Sequence, residues 1–177
     1  MTTILLARHG ETDWNVEGRW QGHADPPLNA RGREQAEALA ERLVDTAFDA
    51  IYSSDLARAK QTAEIVARRL GLPVTTDRGL REIDVGSWSG LTRADIAVRF
   101  PDGERPDGEH VDAFRARVLS ALERLAAGHD GRRILVVAHG GCVRTLQRHM
   151  LGEPLPTLEN CGVYPVSFQG GLFSPID

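Results

Sequence analysis

Five consecutive apolar residues, Ile134-Leu135-Val136-Val137-Ala138, constrain this chain more than any other feature. A strand with one wet face alternates apolar and polar residues, and this run does not. It reads instead as a central parallel strand buried on both faces. Parallel neighbours need crossover connections, usually helices, and the rest of the chain supplies both partners in alternation. Ile4-Leu5-Leu6-Ala7, Ala50-Ile51-Tyr52 and Pro73-Val74-Thr75-Thr76 read as strands, and residues 163–168 as a last one. Between them lie apolar faces at helical spacing. Ala36, Leu39, Ala40 and Leu43 follow Asn29, a side chain suited to an N-cap. Ala59, Ala63, Val66, Ala67 and Leu70 form a second face, with Ser54 or Asp55 as the expected cap and Gly71 as the stop. Phe114, Val118, Ala121, Leu122 and Leu125 form a third, and Val143, Leu146 and Leu151 a fourth. The Pro-, Gly- and Asp-rich stretch through residues 101–108 reads as a short helix and an exposed loop.

This alternation predicts an α/β fold, an open and mostly parallel sheet with helices on both faces, in three αβα layers. With 177 residues, no internal repeat and no linker, one domain spanning 1–177 is the simplest organisation. Hydrophobic residues at 41% and charged residues at 26% are ordinary for a globular protein. The formal net charge of -4 argues against nucleic-acid binding, so an anion site would have to be built locally. The two cysteines, Cys142 and Cys161, have no metal-like or redox spacing and fit a reducing compartment. The apolar run near Met1 is too short for a signal peptide, and no stretch is long enough to span a membrane. A cytoplasmic location is expected.

Open α/β sheets bind ligands beyond the carboxyl ends of their strands, and the polar residues gather there. Arg8-His9 closes the first strand, and His139-Gly140-Gly141 closes the Ile134 strand and opens a helix. Arg58 falls in the first turn of the helix after the second strand, and Glu82 follows the third by a short loop. Singly, a histidine after a strand, an arginine in a first helical turn or a lone glutamate is more often structural. Jointly they suit phosphoryl transfer. Arginine forks hold phosphoryl oxygens bidentately, and a helix N-terminus adds N–H donors. A neutral imidazole is a competent nucleophile, and a carboxylic acid can protonate the departing oxygen.

At this point the residues resemble a known family. Arg8-His9-Gly10-Glu11-Thr12, with Asn15 three residues on, is similar to the signature of the histidine phosphatase superfamily, the phosphoglycerate-mutase-like proteins. The resemblance continues through Gln21-Gly22, Asp25, Pro27-Leu28, Gly32 and Gln35-Ala36. It resumes at residues 53–56, Arg58-Ala59, Gln61-Thr62-Ala63, Leu80-Arg81-Glu82, Gly86, Trp88 and Gly90. Pro106, Gly108-Glu109 and the block at residues 137–141 complete it. The resemblance implies the phosphoglycerate-mutase-like fold, a nucleophile at His9 that forms a phosphohistidine, and a general acid and base at Glu82. It implies that Arg8, Arg58 and His139 hold the phosphoryl oxygens with Asn15 and the Gly140 backbone, and that Gln21 and Gly22 lie on the substrate side. It implies no metal and no cofactor.

The expected activity is hydrolysis of a small phosphomonoester, with neither nucleic acid nor membrane as partner and the oligomeric state, dimer included, left open. The alternatives are mutase transfer and a phosphate-binding module without turnover. Against a mutase, Ile83-Asp84-Val85-Gly86 follows the acid where mutases show a basic and aromatic pair, and residues 91–111 are short for a mutase cap. Within phosphatases the chain resembles the small bacterial type that includes α-ribazole phosphatases and broad phosphomonoesterases. A metal-dependent hydrolase with His9, His139 and an acid as ligands is disfavoured by the arginines that flank both histidines. Where relatives often carry a small hydroxyl residue stands His110, which would face the substrate; Trp14, Trp20 and Trp88 are candidates for pocket walls, although aromatic residues near loops more often pack onto the core.

Overall fold

The computed structural model describes residues 1–153 and 155–176. Six strands form one sheet: β1 (Thr2–Arg8), β2 (Ala50–Ser53), β3 (Val74–Thr76), β4 (Arg133–Ala138), β5 (Val163–Gln169) and β6 (Leu172–Pro175). Their order is β3-β2-β4-β1-β5-β6, with β4 between β1 and β2. The pairs β2–β3, β2–β4 and β1–β4 are parallel, and β1–β5 and β5–β6 are antiparallel. The helices are α1 (Asp13–Val16), α2 (Ala30–Leu43), α3 (Ala57–Leu70), α4 (Arg93–Arg99), α5 (Val111–Ala127) and α6 (Gly140–Leu151).

The unbroken apolar run is explained by two cores. From β4, Ile134, Val136 and Ala138 point into one core with α5 and α6, while Leu135 and Val137 point into the other with α2 and α3. β1 divides the same way, Ile4 and Leu6 to one side and Ala7 to the other. Each fully buried aliphatic side chain contributes about 1.5–3 kcal/mol, and truncating one such as Leu135 to alanine would cost roughly 2–5 kcal/mol.

The α2 cap is as expected, with Asn29 accepting the Gly32 N–H at 2.8 Å. The α3 cap is not. The N-cap position belongs to Leu56, which has no capping side chain, and the Ala57 N–H is met instead by Asp25 Oδ1 from the first loop at 2.6 Å. Ser54 Oγ accepts one residue earlier, from the Leu56 N–H at 3.3 Å. The antiparallel hairpin of β5 and β6 extends an otherwise parallel sheet, and the short α1 interrupts the first loop. Leu151 ends α6 exposed rather than buried. No helix among the described residues is long and apolar enough to cross a membrane.

Candidate active site

Strand register assembles the site. In the parallel β1–β4 pair, Arg8 lies opposite Ala138, and the His9 N–H donates to the Ala138 carbonyl at 3.0 Å. The next residues, His9 and His139, therefore leave adjacent strands at one level, and their rings meet edge to face at 5.3 Å. β2 ends beside them, where the Ser54 N–H donates to Val137 O at 3.0 Å, and α3 then delivers Arg58.

His9 is 4% exposed. Its Nδ1 lies 2.7 Å from the Gly10 carbonyl, which requires the proton on Nδ1 and leaves the Nε2 lone pair free. Burial first, then the Arg58 and Arg8 guanidinium charges, hold its pKa well below the usual 6.5 against the pull of the Gly10 carbonyl. The ring is neutral, with the Nε2 lone pair available. His139 is fully buried, and burial, Arg58 and His9 lower its pKa in the same way. Neither of its ring nitrogens has a partner among the described residues.

Arg58 is 1% exposed and donates to Gly22 O and Ala24 O, both at 2.8 Å. Desolvation lowers its pKa to about 10, so it remains a cation at neutral pH. Arg8 donates through Nη1 to Leu158 O at 2.7 Å, and desolvation lowers its pKa while the Glu82 charge opposes that shift. The Nε of each arginine is buried and unpartnered among the described residues.

Glu82 stands across from this cluster. Its Oε2 accepts the Gly141 N–H at 3.0 Å and its Oε1 the Ile83 N–H at 2.9 Å. The carboxyl sits so close to α6 that a Cβ on Gly141 would fall 2.0 Å from Oε1. Asn15 Oδ1 accepts the Thr12 N–H at 3.1 Å in a capping box for α1, so its amide is oriented with Nδ2 as the remaining donor. Gln21 Oε1 accepts from Thr12 Oγ1 at 3.0 Å.

Eight of the nine expected residues, Arg8, His9, Asn15, Gln21, Gly22, Arg58, Glu82 and Gly140, line one cavity of about 800 Å³. The ninth, His139, is fully buried against the His9 ring and is not among the residues that line the cavity. Trp20 and Trp88 wall the same cavity, whereas Trp14 packs against Gly90. His110 reaches the rim but caps α5, its side chain accepting the Asp112 N–H at 3.3 Å. His129 is tied to Leu125 O at 2.8 Å. Cys142 is buried, and desolvation raises its pKa, so its thiol is inert despite its place near the α6 N-terminus. Desolvation pushes Cys161 up to about 12. No group of three or more His, Cys, Asp or Glu side chains that could hold a metal ion occurs among the described residues.

Several supporting residues carry no signal in the sequence. Arg117 grips the Glu109 carboxylate at 2.7 and 2.8 Å and donates to the carbonyls of Gly79, Arg81 and Glu82, clamping the segment that bears Glu82. His23 Nε2 meets the Glu82 carbonyl at 2.9 Å. Asn160 donates to the His9 carbonyl at 2.9 Å, and Thr62 accepts the Gly10 N–H at 3.0 Å. Thr62 and Glu109 lie inside blocks that resemble the family, but their residue types mark no chemistry.

Comparison with known proteins shows the family and the fold. Residues 4–174 match the family model described as the histidine phosphatase superfamily, branch 1. An uncharacterized phosphatase, PhoE of Bacillus subtilis, is 36% identical over 152 residues, covering 86% of this chain and 79% of that protein. Phosphoglycerate mutase-like protein 4 of Arabidopsis thaliana is 43% identical over 157 residues, covering 81% and 68%. Bacillus stearothermophilus YhfR superposes with a TM-score of 0.93 at 34% identity, covering 99% of this chain and 95% of its own. A mycobacterial glucosyl-3-phosphoglycerate phosphatase in complex with VO3 gives 0.84 at 34% identity, covering 93% and 90%.

Proposed function

The chain belongs to the histidine phosphatase superfamily, and on that premise we propose that it is a metal-independent phosphomonoesterase working through a phosphohistidine on His9. The observation that carries this reading is where the unpartnered buried polar atoms fall. Seven such atoms occur among the described residues, and four of them belong to Arg8, Arg58 and His139 around the His9 ring. Buried polar groups are paired in the great majority of cases. Three of these four can donate, the Nε of Arg8 and of Arg58 and one nitrogen of the neutral His139 ring, and donors left unpaired at one point are held ready for an anion.

In the proposed reaction His9 Nε2 attacks phosphorus in line with the ester oxygen. The N–P bond forms as the P–O bond to the alcohol breaks, and Glu82, protonated, gives its proton to the departing oxygen. Water then attacks the phosphohistidine, Glu82 takes a proton from it, and the N–P bond breaks to release inorganic phosphate and neutral His9. The Nδ1–H bond to Gly10 O stabilises the ring as it becomes cationic. Arg8, Arg58, His139, Asn15 Nδ2 and the Gly140 N–H hold the transferring oxygens, with Gln21 and Gly22 beside the leaving group. Positioning and charge stabilisation of this kind supply most of the catalysis in phosphoryl transfer.

A second reading is transfer within a phosphoglycerate, in keeping with the name of the Arabidopsis relative. Phosphate release from p-nitrophenyl phosphate, sugar phosphates, 3-phosphoglycerate and α-ribazole phosphate in EDTA, with isomerisation followed in parallel, separates the two. Release that survives EDTA is expected. Isomerisation without release would establish the mutase, and loss of activity on chelation would overturn the metal-independent mechanism.

A further inference from the structure

From the His9 N–H to the Thr12 N–H, every backbone polar group after the proposed nucleophile is paired. One peptide unit in this stretch does two things at once. The Gly10 carbonyl meets His9 Nδ1 at 2.7 Å, and across the same peptide the Glu11 N–H donates to Gln35 Oε1 at 2.9 Å. Gln35, in the second turn of α2, is thus joined to the His9 ring through a single rigid plane.

Two glycines bring the helix that close. A Cβ on Gly32 would stand 2.1 Å from the Glu11 carbonyl oxygen and 2.7 Å from the Glu11 nitrogen, and one on Gly10 would stand 2.5 Å from the Gly32 carbonyl oxygen. Gly32 and Gln35 are three residues apart and share a face of α2. The approach that Gly32 permits therefore sets Gln35 over the Glu11 N–H. The next carbonyl, Glu11 O, accepts the Asn29 N–H at 3.0 Å. Nothing else among the described residues meets the Glu11 N–H, and Gly10 has no side chain to resist rotation of the peptide.

A neutral imidazole carries one proton, and the bond made by one nitrogen decides which of the two holds it. With Gly10 O against Nδ1 the proton sits there, and Nε2 keeps the lone pair that attack on phosphorus requires. Were the peptide to turn over, an N–H would face Nδ1 instead, and the proton would move to Nε2. We propose that Gln35 is a positioning residue for the nucleophile: its grip on the Glu11 N–H holds the Gly10 carbonyl against His9 Nδ1 and so keeps the proton off Nε2. This rests on the role proposed for His9. Gln35 acts through the peptide rather than by contact with substrate, since it is not among the residues that line the cavity. The same bond polarises the carbonyl that stabilises the ring as it becomes cationic.

The tautomer can be read without turnover. In proton–nitrogen correlation spectra of the imidazoles, an unprotonated ring nitrogen resonates well apart from a protonated one. The His9 signals among the six histidines are those lost in His9→Ala. Gln35→Met keeps the length and helix propensity of the side chain and removes the acceptor, whereas Gln35→Glu keeps an acceptor. The unaltered protein near neutral pH is expected to show His9 protonated on Nδ1. Gln35→Met is expected to show a large population protonated on Nε2, with kcat/KM lower by about tenfold. The loss should be equal for p-nitrophenyl phosphate and glycerol 3-phosphate, because attack rather than departure is impaired. Gln35→Glu is expected to restore the Nδ1 form and most of the rate. A His9 ring that stays protonated on Nδ1 in Gln35→Met, an unchanged kcat/KM, or a loss confined to glycerol 3-phosphate would overturn the proposal. If the unaltered protein releases phosphate from neither ester, the phosphatase reading fails instead, and the spectra still decide the role of Gln35.

Discussion

Gly141 offers a way to move the proposed acid without changing it. This glycine is the second residue of α6, and its N–H holds Glu82 Oε2 at 3.0 Å. A Cβ here would stand 2.0 Å from Oε1 and 2.8 Å from the carboxyl carbon, whereas real Cβ contacts stay above 3.0 Å. Gly141→Ala therefore drives the carboxyl back by about 1 Å, and a displacement of that size costs on the order of 100-fold in rate. Turnover of glycerol 3-phosphate, whose alkoxide leaves poorly without a proton, should fall by that amount. Turnover of p-nitrophenyl phosphate, a good leaving group, should fall by less than about tenfold. The fold should tolerate the change, because alanine favours a helix over glycine by about 1 kcal/mol. Adding Gly141→Ala to Glu82→Gln should produce little further loss if both act through one carboxyl. Full turnover of glycerol 3-phosphate by Gly141→Ala would refute the role of Glu82.

His9→Ala should abolish phosphate release while leaving the melting temperature near that of the unaltered protein, and more than about 1% residual turnover would remove His9 as nucleophile. Arg117→Lys keeps the charge but loses the fork that clamps the Glu82 segment. It should lower kcat on alkyl phosphates about tenfold with KM little changed, and an effect on KM alone would argue against positioning of the acid. Burial holds His9 and His139 neutral well below pH 6.5, so the unfolded chain takes up protons first as pH falls. Stability present above that pH is then lost below it, by up to about 1.4 kcal/mol per pH unit for each ring. Urea midpoints at about pH 7.5 and about pH 5.5 measure the effect, and equal midpoints would refute it.

The parts of this molecule that are legible in the sequence are those whose cause is local. The β4 run and the strand-closing Arg8-His9 and His139-Gly140 place two histidines at one sheet edge before any contact is known. The α2 cap is legible because Asn29 binds its own turn. The α3 cap is not, because Asp25 comes from 32 residues away. The seat of Glu82 is likewise set by distant partners, Gly141 at a separation of 59 residues and Arg117 at 35. An arginine in an amphipathic helix gives no sign that it will bind three carbonyls of another segment. β6 escapes notice because its four residues include a proline and only Phe173 is buried. Pairing with β5, rather than composition, makes it a strand.

The unpartnered donors at the site make a final prediction about stability as well as rate. Leaving a buried polar group unpaired costs about 1–3 kcal/mol, and three such donors are the Nε of Arg8, the Nε of Arg58 and one ring nitrogen of neutral His139. An oxyanion that satisfies them binds the folded chain and has no comparable site on the unfolded one. Vanadate, which can take five-coordinate geometry like phosphorus in flight, should both inhibit and stabilise. At a hundred times its Kd the linkage is about 2.7 kcal/mol, a rise of roughly 5–10 °C in Tm for a domain of this size. Thermal denaturation with and without vanadate reads it directly, and an unchanged Tm at inhibitory concentrations would refute the pocket. Because the orphaned donors belong to the arginines and His139, His9→Ala should keep much of the shift although its turnover is gone. Arg58→Met should lose it. That contrast separates the two tasks proposed for the site, holding of the anion by the arginines and transfer by His9.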